Sequence, residues 1–229
     1  MTLILHGLPQ AAQAQDWTAS AGLSSDYRLR GVSLSNGHAA QALDLGYGLD
    51  SGWSLGLGLA ALGRDDDGLR TLMTASLARA WQWDADWGAE LDAAHYAYPG
   101  PSRRRAYDYD ELRASLLWRG IWTAALSLSP HVRRTDGYGH YYGGQAGSAE
   151  AGLRLPLGRG FGLDAGLGVY RLQASVGSGS YAYGNLGLAW AKGPWQAQLG
   201  FVTSNAAAKG LASRDNAAGG WLAALIWSI

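Results

Sequence analysis

The sequence predicts an all-β protein, a transmembrane antiparallel up-and-down β-barrel of twelve strands. Twelve stretches of about ten residues alternate apolar side chains with small or polar ones, and this period of two places one set on each face of a strand. No helical periodicity interrupts them, so the apolar face continues from strand to strand. Tight turns and long polar loops join the stretches alternately, as short periplasmic turns and long extracellular loops do in outer-membrane barrels.

The clearest predicted hairpin covers residues 43–59. Leucines alternate with Asp44 and glycines, Asp50-Ser51-Gly52 supplies a tight turn, and leucines then alternate with serine and glycine. One face is therefore aliphatic and the other is small or acidic. The same pattern surrounds tight connections near 84–86, 119–120, 157–160 and 192–194, whereas long polar connections are predicted at 33–37, 63–68, 99–106, 133–144, 173–180 and 204–219.

The first strand, 17–31, and the last, 221–229, are expected to pair and close the barrel, because an open edge in lipid leaves backbone groups without hydrogen bonds. Both termini then lie on the periplasmic side, which requires an even number of strands. The apolar last strand resembles the signal that the barrel assembly machinery reads. The weakest strand is 69–83, whose better outward parity also turns Arg79 outward.

Tryptophan stands where the strands meet nearly every short turn, while tyrosines cluster near the long connections. The amphipathic indole ring favours the headgroup level of a membrane, so these tryptophans are predicted to form a girdle at the periplasmic interface. The predicted girdle consists of Trp53, Trp83, Trp87, Trp118, Trp122, Trp190, Trp195 and Trp227.

The amino-acid composition limits which other functions and compartments are compatible with the sequence. The 229 residues carry 18 basic and 18 acidic side chains, so the net charge of zero offers no footprint for nucleic acid. Cysteine is absent, which is weak support for an oxidising compartment. A short apolar run followed by Ala12-Gln13-Ala14 predicts a signal peptide over 1–14, which leaves residues 15–229 as a single barrel domain.

Glycines and charged residues occupy most of the strand positions that are predicted to face the lumen. Small inward side chains favour a narrow water-filled passage, although they can instead relieve crowding. Asp44 is expected to lie across from Asp26, and the charges can either set a transverse field or form a salt-bridge network that plugs the lumen. The predicted lumen and constriction residues are Asp26, Arg28, Arg30, Asp44, Glu90, Asp92, Glu111, Arg113, Glu150 and Arg154.

Residues near the N-terminus add a resemblance. Leu23-Ser24-Ser25-Asp26-Tyr27-Arg28-Leu29-Arg30-Gly31-Val32-Ser33, followed by Ala39-Ala40-Gln41-Ala42 and Ser51-Gly52-Trp53, resembles the N-terminal signature of the TorF family of porin-like proteins, also described as Gcw_chp-type bacterial proteins. That family shows Ser-Asp-Tyr, two apolar or aromatic residues, and Arg-Gly-apolar-Ser, and Arg28 departs from it. The match covers about the first quarter of the chain and implies an outer-membrane barrel with a porin role.

Other chemistry has weaker support. His131 is expected to share a face with Ser127 and Ser129, near Glu111 and Glu150, but a Ser/His/acid site for modifying lipid needs a geometry that sequence does not show. Asp65-Asp66-Asp67 is more simply a solvated loop than a cation site, and no cofactor or metal is predicted. Arg103, Arg104 and Arg105, in a predicted outer loop, are candidates to contact lipopolysaccharide phosphates.

These observations predict a protein of the bacterial outer membrane that acts as a narrow, charged passage for passive diffusion of small hydrophilic solutes or ions. The alternatives are a closed barrel with a structural or surface-interaction role and, less favoured, a lipid-modifying enzyme. The expected partners are outer-membrane lipid, lipopolysaccharide, small hydrophilic solutes and, during biogenesis, the barrel assembly machinery.

Overall fold

The computed structural model describes residues 16–66, 68–135, 140–175, 177–212 and 215–229. The predicted signal peptide, 1–14, lies outside these residues, so its cleavage stays a prediction. No helix within the described ranges is long and apolar enough to cross a membrane. The strands are β1 (Asp16–Ser24), β2 (Arg28–Leu29), β3 (Val32–Ser33), β4 (Ala40–Gly48), β5 (Trp53–Asp65), β6 (Gly68–Gln82), β7 (Trp87–Ala97), β8 (Tyr109–Trp118), β9 (Trp122–Thr135), β10 (Tyr141–Gly158), β11 (Phe161–Ala174), β12 (Gly177–Lys192), β13 (Trp195–Ser204) and β14 (Gly220–Ser228).

Twelve of these strands, β1 and β4 to β14, form one closed antiparallel barrel, which confirms the predicted fold class. The last strand closes the wall against the first, with Ser24 opposite Ala224, and β1 also pairs with β4, with Ser24 opposite Ala40. A closed wall leaves no strand edge in the lipid. Two short helices, α1 (Ser102–Arg105) and a 3₁₀ helix (Ala206–Gly210), lie in connections between wall strands.

The outer face of the wall is apolar. Leu57, Leu126 and Leu167 are 66%, 65% and 67% exposed, whereas Glu111 and Glu150 on the opposite parity are buried. The predicted outward parity of β6 holds as well, and Arg79 on this face lies between two indole rings, 5.2 Å from the Trp53 ring and 5.7 Å from the Trp81 ring. Cation–π contacts near the short turns thus accommodate this charge.

Five short connections lie at the end of the barrel where β1 begins and β14 ends, and we call this the short-turn end. The opposite, long-loop end differs from expectation at 63–68 and 173–180. There β5 and β6 continue to Asp65 and from Gly68, and β11 and β12 continue to Ala174 and from Gly177. Gly68 and Gly177 adopt φ values of +97° and +127°, which permit tight turns in place of long loops.

The tryptophans of the predicted girdle all lie at the short-turn end. Trp87 is opposite Trp118, Trp118 is opposite Trp122, and Trp195 is opposite Trp227 in the strand register. Trp53 begins β5, Trp83 follows β6, and Trp190 lies near the end of β12. Their common level fits one membrane interface, which stays our prediction for them.

Candidate functional site

The chain leaves the wall after Ser24 and folds into the lumen, which corrects the expectation of a continuous first strand over 17–31. We call residues 25–39 the lumenal hairpin, since β2 and β3 pair within it. Its tip is a tight turn in which Arg30 and Gly31 have φ values of +50° and +82°. A second left-handed pair, Asn36 and Gly37, returns the chain toward β4. Residues 25–33, the main part of the sequence that carries the family resemblance, lie in this hairpin.

Asp26 organises the interior of the hairpin. Its carboxylate accepts hydrogen bonds from Arg28 Nε at 2.6 Å and from the Ser33 hydroxyl at 2.5 Å, and the Ser35 hydroxyl lies 2.7 Å away. Asp26 is only 4% exposed, so this set of donors compensates its loss of water. Asp44 does not lie across from Asp26, as the sequence predicted, because the wall pairs Asp44 with Ser20 after the hairpin has turned inward.

An apolar contact fixes the base of the hairpin to one side of the wall. Tyr27 packs in a buried cluster with wall residues from β4, β5 and β6, and Leu34 joins the same cluster. Arg70 of β6 donates a hydrogen bond to the Leu34 carbonyl at 2.8 Å. Burial of an aromatic side chain makes this the apolar anchor of the hairpin. The wall members of the cluster are Ala40, Ala42, Ala60, Leu62 and Leu72.

A single arginine fixes the tip to the opposite side of the wall. Arg30 Nη2 donates to both carboxylate oxygens of Glu111 in β8, at 2.7 and 2.6 Å, and lies 2.9 Å from the Ser127 hydroxyl in β9. Arg30 Nε is 3.9 Å from Glu150 Oε1 in β10, and its guanidinium lies 5.6 Å from the Tyr170 ring centroid in β11. Arg30 therefore spans four neighbouring strands.

The ion pair at the tip is buried on both sides, since the Arg30 and Glu111 side chains are each 6% exposed. Burial disfavours the charged guanidinium, but the Glu111 carboxylate outweighs that cost and raises the pKa of Arg30 above its ordinary value. Arg30 is therefore charged at neutral pH, as arginine ordinarily is. Losing one partner would leave the other buried and unpaired, which is strongly unfavourable.

The hairpin also touches the third side of the wall. At Gly31 an added Cβ would lie 2.8 Å from Tyr183 Cβ in β12 and 3.0 Å from the Thr203 carbonyl oxygen in β13, so only glycine fits. Arg28 donates to the Ala218 carbonyl at 2.7 Å, and the Ser33 amide donates to the Asn216 carbonyl at 2.8 Å. The hairpin and the connection between β13 and β14 together cross the lumen near the long-loop end.

The other predicted lumen residues lie on the inner face of the wall strands. Glu150 contacts Arg113 and accepts a hydrogen bond from the Tyr183 hydroxyl at 2.5 Å. Arg154 pairs with Asp164 of β11 at 2.6 Å. Asp44, Glu90 and Asp92 form no ion pair with any of the described residues. The inner face therefore carries more carboxylates than guanidinium groups.

The inward glycines accommodate neighbouring side chains. An added Cβ would lie 2.5 Å from Thr18 Oγ1 at Gly46, 2.6 Å from Ser76 Oγ at Gly56 and 2.9 Å from Asp44 Oδ1 at Gly58. At Gly168 it would lie 2.5 Å from Tyr183 Cζ. These distances favour the relief of crowding over a passage lined by bare backbone at these positions.

We expect Gly168→Val to destabilise the barrel by about 1–3 kcal/mol, because the new side chain would push the Tyr183 ring away from Glu150. The midpoint of urea unfolding in lipid vesicles measures this change. Gly143→Val is the matched control. Gly143 lies in β10, the strand that pairs with β11, but no atom lies within 4 Å of a Cβ added there. Equal midpoints for the two variants would contradict the packing of Tyr183 over Gly168.

The predicted Ser/His face does not exist. The pairing of β9 with β10 shifts register between Gly144 and Ala146, opposite the segment that contains His131. A shift of one residue turns following side chains to the other face, so His131 is exposed while Ser127 and Ser129 are buried. His95 lies on the outer face, where its Nδ1 atom is 2.8 Å from Asp110 Oδ1. Within the described ranges, no three His, Cys, Asp or Glu side chains group as metal ligands would.

The arginines predicted to contact lipopolysaccharide lie at the long-loop end, within α1. Arg104 is engaged within the protein, because it contacts Asp65 and donates to the Leu69 carbonyl at 2.7 Å. Arg105 is exposed, and the Arg103 side chain lies outside the described residues. A lipid phosphate would therefore find Arg105 more accessible than Arg104.

Sequence reasoning missed the inward tyrosines. Tyr96 and Tyr109 stack with ring centroids 4.5 Å apart, and Tyr181 lies 5.4 Å from Tyr170 and 5.9 Å from Tyr183. The Tyr170 ring also lies 5.6 Å from the Arg30 guanidinium, so the tyrosines of β11 and β12 reach the tip of the hairpin. Parity within each strand was the available signal, since Tyr96 shares it with Asp92, Tyr109 with Glu111 and Tyr170 with Asp164.

Solved structures share this architecture. The NanC porin matches with a TM-score of 0.60 at 9% identity, over 92% of this chain and 98% of that chain. The COG4313 outer membrane channel from Pseudomonas putida F1 matches with a TM-score of 0.56 at 12% identity, over 95% and 96%. The KdgM porin in complex with disordered oligogalacturonate matches with a TM-score of 0.52 at 9% identity, over 93% and 99%. At these identities the likeness concerns the fold.

Two of these structures are porins and one is an outer membrane channel, and the present chain shares their closed β-barrel fold. No curated protein matches it in sequence. One family profile, described as a bacterial protein of unknown function (Gcw_chp), matches residues 9–224. That match includes the hairpin, the first eleven wall strands and the first five residues of β14. The chain therefore belongs to the Gcw_chp family.

Proposed function

We propose that this protein is a passive diffusion channel of the outer membrane for small hydrophilic solutes or ions. The observation that carries the proposal is the inner face, where charged and hydroxyl side chains alternate with the leucines of the outer face. A lumen filled for stability alone is better packed with apolar residues, since buried ion pairs are often less stabilising than hydrophobic replacements. Polar lining suits a water-filled passage.

The test is conductance of the purified full-length protein in planar bilayers at 1 M salt, together with swelling of liposomes in small sugars. We expect discrete conductance steps in the bilayer. The proposal would be overturned if neither the wild type nor variants with a weakened hairpin conducted. All of these proteins must be folded, as judged by heat-dependent migration in SDS gels.

We expect the channel to prefer cations. Asp44, Glu90 and Asp92 line the inner face without ion-pair partners among the described residues, while Arg30, Arg113 and Arg154 each face a carboxylate. Unpaired carboxylates attract cations into a narrow passage. The combined variant Glu90→Gln with Asp92→Asn should reduce the cation-to-anion permeability ratio several-fold, as measured by reversal potentials in a salt gradient. Arg105→Gln, a charge change at the rim, is the control and should leave the ratio unchanged.

A closed barrel with a structural or surface-interaction role is the second candidate. The crossing of the lumen by the hairpin favours it, because contacts run from the Tyr27 cluster to Arg30 and Gly31. On this proposal exposed rim residues such as Arg105 bind lipopolysaccharide or another partner. It predicts that even a barrel without the hairpin does not conduct.

A further inference from the structure

We propose that the lumenal hairpin is a gate, and that Arg30 is the latch that holds it closed against the opposite wall. The inference rests on the proposed channel function and assigns its regulation. Residues 25–39 cross the lumen, with Asp26, Arg28 and Arg30 all under 9% exposed. The segment that closes the passage is therefore separate from the wall strands that form it.

The wall does not need the hairpin for its own integrity. β1 and β4 pair in register from Asp16 opposite Gly48 to Ser24 opposite Ala40, where the hairpin begins and ends. β1 also pairs with β14 over Ser20 to Ser24. Residues 26–39 take part in none of these wall pairings, and Ser25 extends them through its amide, which donates to the Ala223 carbonyl of β14 at 2.8 Å. The barrel can therefore stay closed as a wall while the rest of the hairpin moves outward and the passage opens.

Two of the three sets of contacts that hold the hairpin, the Tyr27 cluster and the Arg30 ion pair, differ in chemical character. Near its base Tyr27 is buried among alanines and leucines of β4 to β6, which are the strands next to the point where the hairpin joins the wall. At its tip the contacts to β8, β9 and β10 come from the single side chain of Arg30. The geometry suits a pivot at the apolar anchor and a release at the ionic latch.

The latch is also incompletely satisfied. Arg30 Nε is buried and has no hydrogen-bond partner within the described ranges, and Glu150 Oε1 is 3.9 Å away from it. Arg113 competes for the same Glu150 carboxylate. A buried donor without a partner raises the free energy of the closed state and so brings it nearer to the open state.

Arg30→Met tests the latch in the full-length protein in planar bilayers. The substitution keeps a long side chain but removes the charge that pairs with Glu111, so we expect the time-averaged conductance to rise at least about tenfold. Arg119→Met is the matched control. It breaks an Arg–Asp ion pair, with Asp86 at 3.0 Å, that is exposed at the short-turn end and does not involve the hairpin. The control should leave the fraction of time spent open within about twofold of the wild type.

A reversible crosslink tests the gate independently of Arg30. Asn216 Nδ2 donates to the side-chain oxygen Oδ1 of Asn36 at 2.9 Å, so these positions join the hairpin to the connection between β13 and β14. The chain contains no cysteine, so Asn36→Cys with Asn216→Cys places the only two thiols. Joining them with a short bifunctional, reducible thiol reagent should lower the conductance to background, and reduction should restore it.

The outcomes separate the gate from the channel. If the wild type conducts and neither Arg30→Met nor the crosslink changes its conductance, the hairpin is not a gate while the channel stands. If the two arms act as expected, both proposals are supported. If Arg30→Met does not fold, the crosslink alone decides. If the folded wild type, the folded Arg30→Met variant and the uncrosslinked cysteine pair are all silent, the channel itself is overturned.

Discussion

A barrel in which a short glycine-containing turn replaces residues 26–38 is expected to conduct continuously, with a time-averaged conductance more than about tenfold above that of the wild type. The design follows from the register, since Ser24 and Ala40 lie opposite each other and a few residues can join them. Excision removes Tyr27, Arg28 and Arg30 from the lumen together. No point substitution in the lumen removes as much of the obstruction.

Planar-bilayer recording measures this result, and the salt dependence of the current shows that the passage contains water. The matched control shortens the connection between β7 and β8, at the same end of the barrel, where Arg105 and Tyr107 are exposed. The control should conduct like the wild type. An excised barrel that folds and inserts yet carries no current would mean that wall side chains fill the lumen, as the closed-barrel alternative requires.

The wall of this barrel is predictable because a single rule dictates it. Each wall strand must turn leucines and aromatics to lipid and small or polar groups inward, and Leu45, Leu57 and Leu167 are exposed accordingly. The need for a closed edge then fixes the pairing of β14 with β1. The two-residue period of the side chains and the need to close the barrel together therefore predict the number of wall strands and which side chains face outward.

The hairpin escapes this rule because its own residues also alternate. Asp26, Arg28 and Arg30 continue the inward parity of β1, so the pattern extends smoothly past Ser24 although the backbone leaves the wall. The sign of the departure is the pair of turns at Arg30-Gly31 and Asn36-Gly37. Asn-Gly is a typical turn sequence, whereas Arg-Gly is not, because arginine seldom adopts a positive φ. The polar residues of the family signature therefore indicated a lining of the lumen and not a turn.

The position of His131 depends on one residue of register. The sequence places His131 on the face of Ser127 and Ser129 by counting in twos, and the shift in the pairing of β9 with β10 reverses that count. Pro130 precedes His131, and proline within a strand marks a bulge or an edge, so the chain did contain a warning. Alternation alone therefore does not predict which face a side chain takes beyond a bulge.

Leu167→Arg is expected to destabilise the membrane-inserted barrel by about 2–4 kcal/mol, since arginine on the lipid face costs most near the middle of the apolar band. On β11 this band runs from Phe161, beside a short turn, to Val169, and Arg171 stands beyond it on the same face. Leu167 is 67% exposed, so the charge would meet hydrocarbon directly.

Gln173→Arg places the same side chain on the same strand and face but beyond Arg171, at the long-loop end, where the cost should fall to about 0–1 kcal/mol. Urea unfolding of both variants in lipid vesicles compares them. The difference in free energy between the two positions measures the depth of the apolar band without any assumption about arginine itself. If Leu167→Arg proved as stable as Gln173→Arg, the exposed leucines would not face lipid, and the assignment of this wall to a membrane would fail with them.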